Sequence, residues 1–280
     1  MRVSAQARGA AALLIGALLW ASQASAEIAI SANDQKVKLV NGVTVVQPNP
    51  SADNVTVYDV TSERIKTLGS LDVPTSVVGP PLSVAIAPDE SFALVTANQK
   101  IDPSDPTKTV PDTRMSVVDL RDGKPRLLAT VETGKGPAGV AINRTGTLAL
   151  VANRNEGTVS VYTIADRTLT PAGKIALGDD KSGPSAVAIT PDGTMALVSR
   201  DGDSKISVLT IDSTAVAYTK RDINAGLRPY GLDISSDGRF AAVANIGLGG
   251  GDADTVSVID MTLKPPRVVD TISVGQTPEG

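Results

Sequence analysis

Short apolar runs recur along the chain, each ended by a polar turn, and their order repeats. Val140-Ala141-Ile142 leads into the turn Asn143-Arg144-Thr145-Gly146. Leu150-Val151-Ala152 follows and stops at Asn153, and then comes the alternating Thr158-Val159-Ser160-Val161-Tyr162. The same order returns from Gly183-Pro184-Ser185-Ala186-Val187-Ala188-Ile189, with the turn Thr190-Pro191-Asp192-Gly193, and from Arg228-Pro229-Tyr230-Gly231-Leu232-Asp233-Ile234, with Ser235-Ser236-Asp237-Gly238. An earlier copy runs through Val84-Ala85-Ile86 to Pro88-Asp89. Anchored on Val84, Val140, Val187 and Leu232, the spacings are 56, 47 and 45 residues, a period that belongs to solenoids and propellers. A fainter unit begins at Ile28-Ala29-Ile30-Ser31 and continues through Leu39-Val40 to Asn54-Val55-Thr56-Val57-Tyr58-Asp59, which makes five.

Each unit reads as four short strands. The first ends in a Pro-Asp-Gly-type turn, where Asp tolerates turn geometry and Gly accepts positive φ. The second is the Leu-Val-Ala-Asn run and the third the Thr-Val-Ser-Val run. The fourth is looser, as in Leu127-Leu128-Ala129-Thr130-Val131 or Val268-Val269-Asp270-Thr271-Ile272. The first two are apolar on both faces, so the antiparallel sheet they build needs a cover on each side. Stacking sheets around an axis supplies that cover for every unit, whereas a two-sheet sandwich does not call for near-identical four-strand units. The expected class is all-β: a propeller of four-stranded antiparallel blades at about 27–78, 79–133, 134–180, 181–225 and 226–274, with the start of a further blade at 275–280.

The G-x-x-P loop, the S-P-D-G-like turn, the V-A-N strand end and the T-V-S-V-I-D strand resemble the YVTN family of β-propeller repeats, over nearly all of 28–280. That resemblance implies a surface-layer, periplasmic or lactonase-like protein, in families that commonly close with seven blades. Gly275-Gln276-Thr277-Pro278-Glu279-Gly280 is another G-x-x-P loop. Two arrangements stay open: five blades closing a small ring, or the front part of a seven-bladed one, the latter being the expectation. An open arc of five blades exposes an apolar face at each end and is expected to self-associate.

The N-terminus sets the expected compartment. Arg2 and Arg8 precede an apolar stretch from Ala10 to Ala21, and Ala24-Ser25-Ala26 completes the pattern of a secretory signal cleaved after Ala26. The apolar run is too short for a permanent anchor, so a periplasmic or secreted protein with no membrane anchor after cleavage is expected. The mature chain keeps 24 basic against 30 acidic side chains, a net charge of −6, with no general attraction to nucleic acid.

Composition then narrows the chemistry. The 280 residues include no Cys and no His. That excludes thiolate and Ser-His-Asp nucleophiles, iron–sulfur clusters, His-ligated haem and the usual zinc sites. Haem propellers of the nitrite-reductase type need axial His, and quinone propellers usually carry Trp motifs, while the single Trp, Trp20, falls in the export segment. No cofactor is expected.

Topology places the G-x-x-P loops and the loops after V-A-N on one face of the disc and the Pro-Asp-Gly turns on the other. The long insertions Asn41–Asp53, Gln99–Thr113 and Ile246–Asp254 join the first face, where binding is expected. Asn98, Asn153 and Asn245 at the strand ends read as backbone-satisfying residues. Arg200 breaks that repeat, and Arg228 with Tyr230 places a guanidinium and a phenol near the axis. Together with Lys135 and Arg154 these form the expected ligand-binding set, suited to a carboxylate or phosphate. Gly247-Leu248-Gly249-Gly250-Gly251 lacks the helix and Gly-Lys-Ser/Thr ending of a phosphate loop and reads as a flexible loop. Asp201-Gly202-Asp203 and Asp252-Ala253-Asp254 lack EF-hand spacing, so no metal site is expected. The reading is a non-catalytic exported propeller that binds a protein partner or a small anionic ligand. The alternative is a lactonase-like hydrolase of sugar lactones, whose acid or base would be a carboxylate such as Glu156 or Glu279.

Overall fold

A strand that is apolar on both sides is stable only between two neighbours, and the repeats solve this by stacking. The computed structural model describes residues 27–40, 43–61, 64–76, 81–251 and 253–279. The expected export segment 1–26, Asp252 and Gly280 lie outside them. Four repeats form four-stranded antiparallel sheets in which spatial order follows chain order. Blade 3, for example, runs Pro137–Ile142, Leu148–Asn153, Thr158–Ala165, Thr168–Ala176 from the axis outward.

The turns between first and second strands work as their residues require. Gly146, Gly193 and Gly238 take φ of 68°, 72° and 73°. Asp192 accepts hydrogen bonds from the Thr194 amide and the Thr190 hydroxyl, and Asp237 from the Arg239 amide and the Ser235 hydroxyl. These acids are turn-makers, and the hydrogen bonds lower their pKa values. The pairing of third with fourth strand carries a register shift at the same place in every blade, at Val57/Tyr58, Val117/Val118, Val161/Tyr162, Ser207/Leu209 and Val258/Ile259. Such a bulge raises local twist and turns the outer strand away from the axis.

Blade 1 departs from the expected four strands. Its sheet holds Ile28–Asn33, Asn54–Asp59 and Lys66–Asp72. Ile28-Ala29-Ile30-Ser31-Ala32-Asn33 aligns with the second strand of blade 3, Leu148 to Asn153, so among the described residues this sheet holds the second, third and fourth strands of the repeat and no innermost one. The segment around Leu39-Val40 is no part of the ladder. Val37–Val40 pairs only with Val43–Val46, making a hairpin on the loop-rich face. A second hairpin, Gln99–Ile101 with Thr109–Pro111, rises from the corresponding insertion of blade 2.

The core lies between blades. Leu94, Met115 and Val117 of blade 2 pack on Val140, Val151 and Tyr162 of blade 3. Leu150, Val159 and Val161 of blade 3 pack on Val187, Val198 and Leu209 of blade 4. Leu197, Ile206 and Val208 pack on Leu232, Val243 and Ile259 of blade 5. Glycine is needed where inner strands meet: a Cβ on Gly139 would lie 2.6 Å from the Ser185 carbonyl oxygen.

Candidate functional site

The loop-rich face is assembled by backbone bonds between the loop that leads into each first strand and the loop that leaves each second strand. The Arg154 amide donates to Gly136, the Asp201 amide to Gly183 and the Ile246 amide to Arg228. Both loop sets therefore share one face, and the residue after each second strand, Arg154 in blade 3 and Asp201 in blade 4, sits near the axis.

Those two meet. Arg154 donates from Nη1 to Asp201 Oδ1 at 2.5 Å and from Nη2 to Asp201 Oδ2 at 2.6 Å. Ser185, itself buried, donates its hydroxyl to Asp201 Oδ1, and Arg154 also reaches the Ser185 oxygen. Arg228 of blade 5 approaches Asp201 Oδ2 at 3.4 Å. The Arg154 guanidinium lies 5.6 Å from the centroid of the Tyr230 ring, within cation–π range. Asp201 is only 2% exposed, while the side chain of Arg228 is 38% exposed. One buried carboxylate thus holds two guanidiniums, leaving one net positive charge at the mouth of the axis.

Arg228 occupies its place at a cost. In the equivalent position before the loop proline the neighbouring blades carry Gly136 and Gly183, with φ of 66° and 62°, and Arg228 takes φ 53° in their stead. A non-glycine residue there is strained by about 1 kcal/mol, and Thr277 takes φ 52° at the same place in the loop at 275–280, so it is the identity of the Arg228 side chain that distinguishes this loop.

Of the residues expected to bind, the structure brings Arg154, Arg228 and Tyr230 together and leaves two apart. Arg200 lies in the interior instead of on the expected binding surface. Its side chain is 4% exposed, paired with Asp203, and its Nη1 donates to the Leu177 carbonyl at 3.0 Å and to Ser207 Oγ at 3.1 Å. It does in blade 4 what Asn153 and Asn245 do in theirs, where the amide nitrogens donate to Ser160 and Ser257. The departure from the repeat is thus a longer side chain filling the same internal role. Lys135 is exposed on the same face, and its amide, not its ammonium, is engaged, donating to Glu156 Oε2 at 2.8 Å. Glu156 also accepts from Lys174 at 2.8 Å. Burial pushes the Glu156 carboxyl up, and the hydrogen bonds from Lys174 and the Lys135 amide outweigh it, so the net shift is downward. Glu279 is exposed. Sequence reasoning missed Asp201, which looked like half of an acidic pair. The signal available was that Arg154 and Asp201 stand at one position in successive repeats with opposite charge.

No protein-family model and no curated protein matches the chain. Solved structures do resemble it. A Kuenenia stuttgartiensis hydrazine synthase chain is 23% identical, with a TM-score of 0.56, over 73% of this chain and 51% of that one. A Bacteroides fragilis protein provisionally assigned as a 6-phosphogluconolactonase is 14% identical, with a TM-score of 0.62, over 91% of this chain and 83% of that one. The Pseudomonas aeruginosa periplasmic gluconolactonase PpgL is 18% identical, with a TM-score of 0.60, over 85% and 70%. The chain spans about half the length of the hydrazine synthase chain it matches. At these identities the likeness establishes the fold, a β-propeller.

Proposed function

We propose that this chain is an exported YVTN-type propeller whose axial mouth binds a small polyhydroxylated acid or its lactone. The observation that carries the reading is Arg228. An arginine kept at a positive φ where neighbouring blades use glycine, with its guanidinium half in solvent beside a second arginine, is suited to a ligand carboxylate or phosphate. Asp201 and Ser185 position Arg154 and limit the net charge, so a singly charged ligand is favoured over a polyanion. Tyr230 offers a ring face against which a sugar ring can lie. The lactone class is supported by the two lactonase-type structural neighbours, and export by the pattern of residues 1–26.

Ring opening is the second reading. Water oxygen would add to the lactone carbonyl carbon, the ring C–O bond would break, the released alkoxide would take up a proton and the new carboxylic acid would lose one. With no His in the chain, this reading looks to a carboxylate as the base. Asp201 has both oxygens occupied by Arg154, Ser185 and Arg228, and Glu156 is tied to Lys174 and the Lys135 amide. Both carboxylates are already engaged in hydrogen bonds and ion pairs, which supports binding over turnover at these two residues and leaves the exposed Glu279 as the other candidate. Titration calorimetry with gluconate and 6-phosphogluconate is expected to give heats that disappear in Arg228→Ala. Absence of heat with the parent chain overturns the binding reading, and base consumption above the uncatalysed rate with glucono-δ-lactone in a pH-stat establishes the second.

A further inference from the structure

A two-stranded hairpin has two outer edges, and the hairpin raised by blade 2 presents them differently. The Asp112 amide donates to the Asn98 carbonyl at 2.9 Å and the Asp102 amide to the Lys108 carbonyl at 3.0 Å. Bonded positions alternate along an antiparallel strand. Asn98, Lys100 and Asp102 therefore face into the hairpin, and the N–H and C=O groups of Gln99 and Ile101 point away from the partner strand. Among the described residues no other backbone group reaches them. Across from Gln99 the outward position of the other strand is Pro111, which has no N–H to offer and so blunts that edge against further pairing. The Gln99–Ile101 edge carries no proline and borders a cavity of about 340 Å³. Gln99, Lys100 and Ile101 line this cavity and the strand Thr109–Pro111 does not, so it is the open edge that faces it. The far wall, Pro50, Ala52, Val73 and Pro74 of blade 1, is apolar. The ion pairs of this region join Lys36 to Asp53 and Arg114 to Asp112, and the half-buried Lys100 stands outside them.

We propose that this edge takes up an extended segment of a partner protein as a third strand, antiparallel to Gln99–Ile101. An N–H and a C=O on each of two alternate residues match an extended peptide backbone, which supplies acceptors and donors at the same spacing. The register then sets the side chains of the partner. Residues opposite Gln99 and Ile101 form the bonded pairs and share the face of Ile101, where an apolar β-branched residue fits. The residue between them lies opposite Lys100 in a non-bonded pair, whose Cα atoms approach to about 4.5 Å. An acidic side chain there meets the Lys100 ammonium. The partner segment is thus apolar, acidic and apolar in succession. It lies at the boundary of blades 1 and 2 and shares no residue with the axial cluster of Arg154, Asp201 and Arg228.

The test uses the full chain and the peptide acetyl-Thr-Val-Glu-Val-Thr-amide. Titration calorimetry is expected to show saturable binding. N-methylation of both Val nitrogens removes the donors to the Gln99 and Ile101 carbonyls and is expected to abolish binding. N-methylation of the Glu nitrogen, which points away from the hairpin, is expected to leave binding intact. Lys100→Glu is expected to weaken the Glu peptide several-fold and to bind a peptide with Lys in place of Glu several-fold more tightly than the parent chain does, a gain that a misfolded variant cannot show. Gluconate is expected not to displace the Glu peptide. No binding to the parent chain, equal tolerance of the two methylation patterns, an unchanged charge preference in Lys100→Glu, or displacement by gluconate overturns the proposal.

Discussion

Arg154 and Asp201 hold the same place in successive blades, the first residue after the second strand, and they meet in a two-pronged ion pair of 2.5 and 2.6 Å across the blade boundary. The pair fastens blade 3 to blade 4 at the axial mouth, and Arg228 extends it to blade 5. Removing the buried Asp201 takes the acceptor from Ser185 and from Arg154, whose side chain is 20% exposed and can rehydrate, at a typical cost of about 1–3 kcal/mol. Asp201→Ala is therefore expected to lower unfolding free energy by an amount in that range, read as an earlier urea midpoint. Asp201→Asn, which keeps an acceptor oxygen, is expected to lose less.

Arg200 is an internal arginine, whereas Arg228 on the same loop-rich face is partly exposed. The Arg200 Nη1 bonds to the Leu177 carbonyl of blade 3 and to Ser207 of blade 4 are buried, and truncation strands the Leu177 carbonyl, while Ser207 keeps its bond to Asp222. Arg200→Ala is expected to cost about 1–3 kcal/mol and to leave gluconate affinity unchanged. Arg200→Asn restores the residue that blades 3 and 5 use and is expected to recover part of that loss. A fall in affinity with unchanged stability would return Arg200 to the binding surface.

The blades were legible because their signal is local and repeated. Val-Ala-Ile, Pro-Asp-Gly and Thr-Val-Ser-Val each specify a strand or a turn by residue type, and five copies average out the exceptions. The inner strand that blade 1 lacks was not legible, because Leu39-Val40 has the composition of a strand and only pairing shows that it belongs to a separate hairpin. The site was half legible. Arg228 stands out against Gly136 and Gly183, and Arg154 and Tyr230 were placed on the right face by topology. The burial of Arg200 was hidden because an arginine at a strand end reads as exposed, and nothing in a single repeat tells that its long stem reaches inward to Ser207. Asp201 was overlooked because its partners are 47 residues back and 27 residues ahead in the chain.

Gly139 tests the blade boundary directly. A methyl group there meets the Ser185 carbonyl at 2.6 Å and the Ala186 Cα at 2.8 Å, both on the inner strand of the next blade. Backbone cannot yield as a flexible side chain does, so the blades must move apart. Gly139→Ala is expected to cost about 1–3 kcal/mol, the range for overpacking, measured by thermal unfolding. Gly173 takes φ 136° and has open space where a methyl group would stand, so a penalty for Gly173→Ala reflects backbone conformation alone.

Acid sensitivity is expected from the opposite face. Asp119 is buried and accepts from Arg121 Nε and Nη2 at 2.9 Å each, with Arg167 at 3.4 Å. The Arg121 hydrogen bond holds its carboxyl down from the ordinary 3.8 to about 2. A carboxylate with a depressed folded-state pKa binds protons less readily than the unfolded chain does. Its contribution is complete above about pH 4 and is lost as pH falls toward 2. Asp119→Asn is expected to be less stable at neutral pH and to show a shallower decline between pH 4 and 2, followed by chemical denaturation at each pH.

Arg228→Gly sets stability against binding at one residue. Glycine removes the side-chain clash of the positive φ at 53°, a relief of about 1 kcal/mol. Against that stands the 3.4 Å contact with Asp201, partly exposed and therefore worth no more than about 1 kcal/mol. Asp201 keeps its two bonds from Arg154, so no buried charge is stranded. The variant is expected to be at least as stable as the parent in urea, within about 0.5 kcal/mol. Its affinity for gluconate is expected to fall by about tenfold or more, the loss of one charge-assisted contact. A variant that is clearly less stable and binds unchanged would make Arg228 a structural clamp, and the mouth would then have no ligand-facing arginine beyond Arg154.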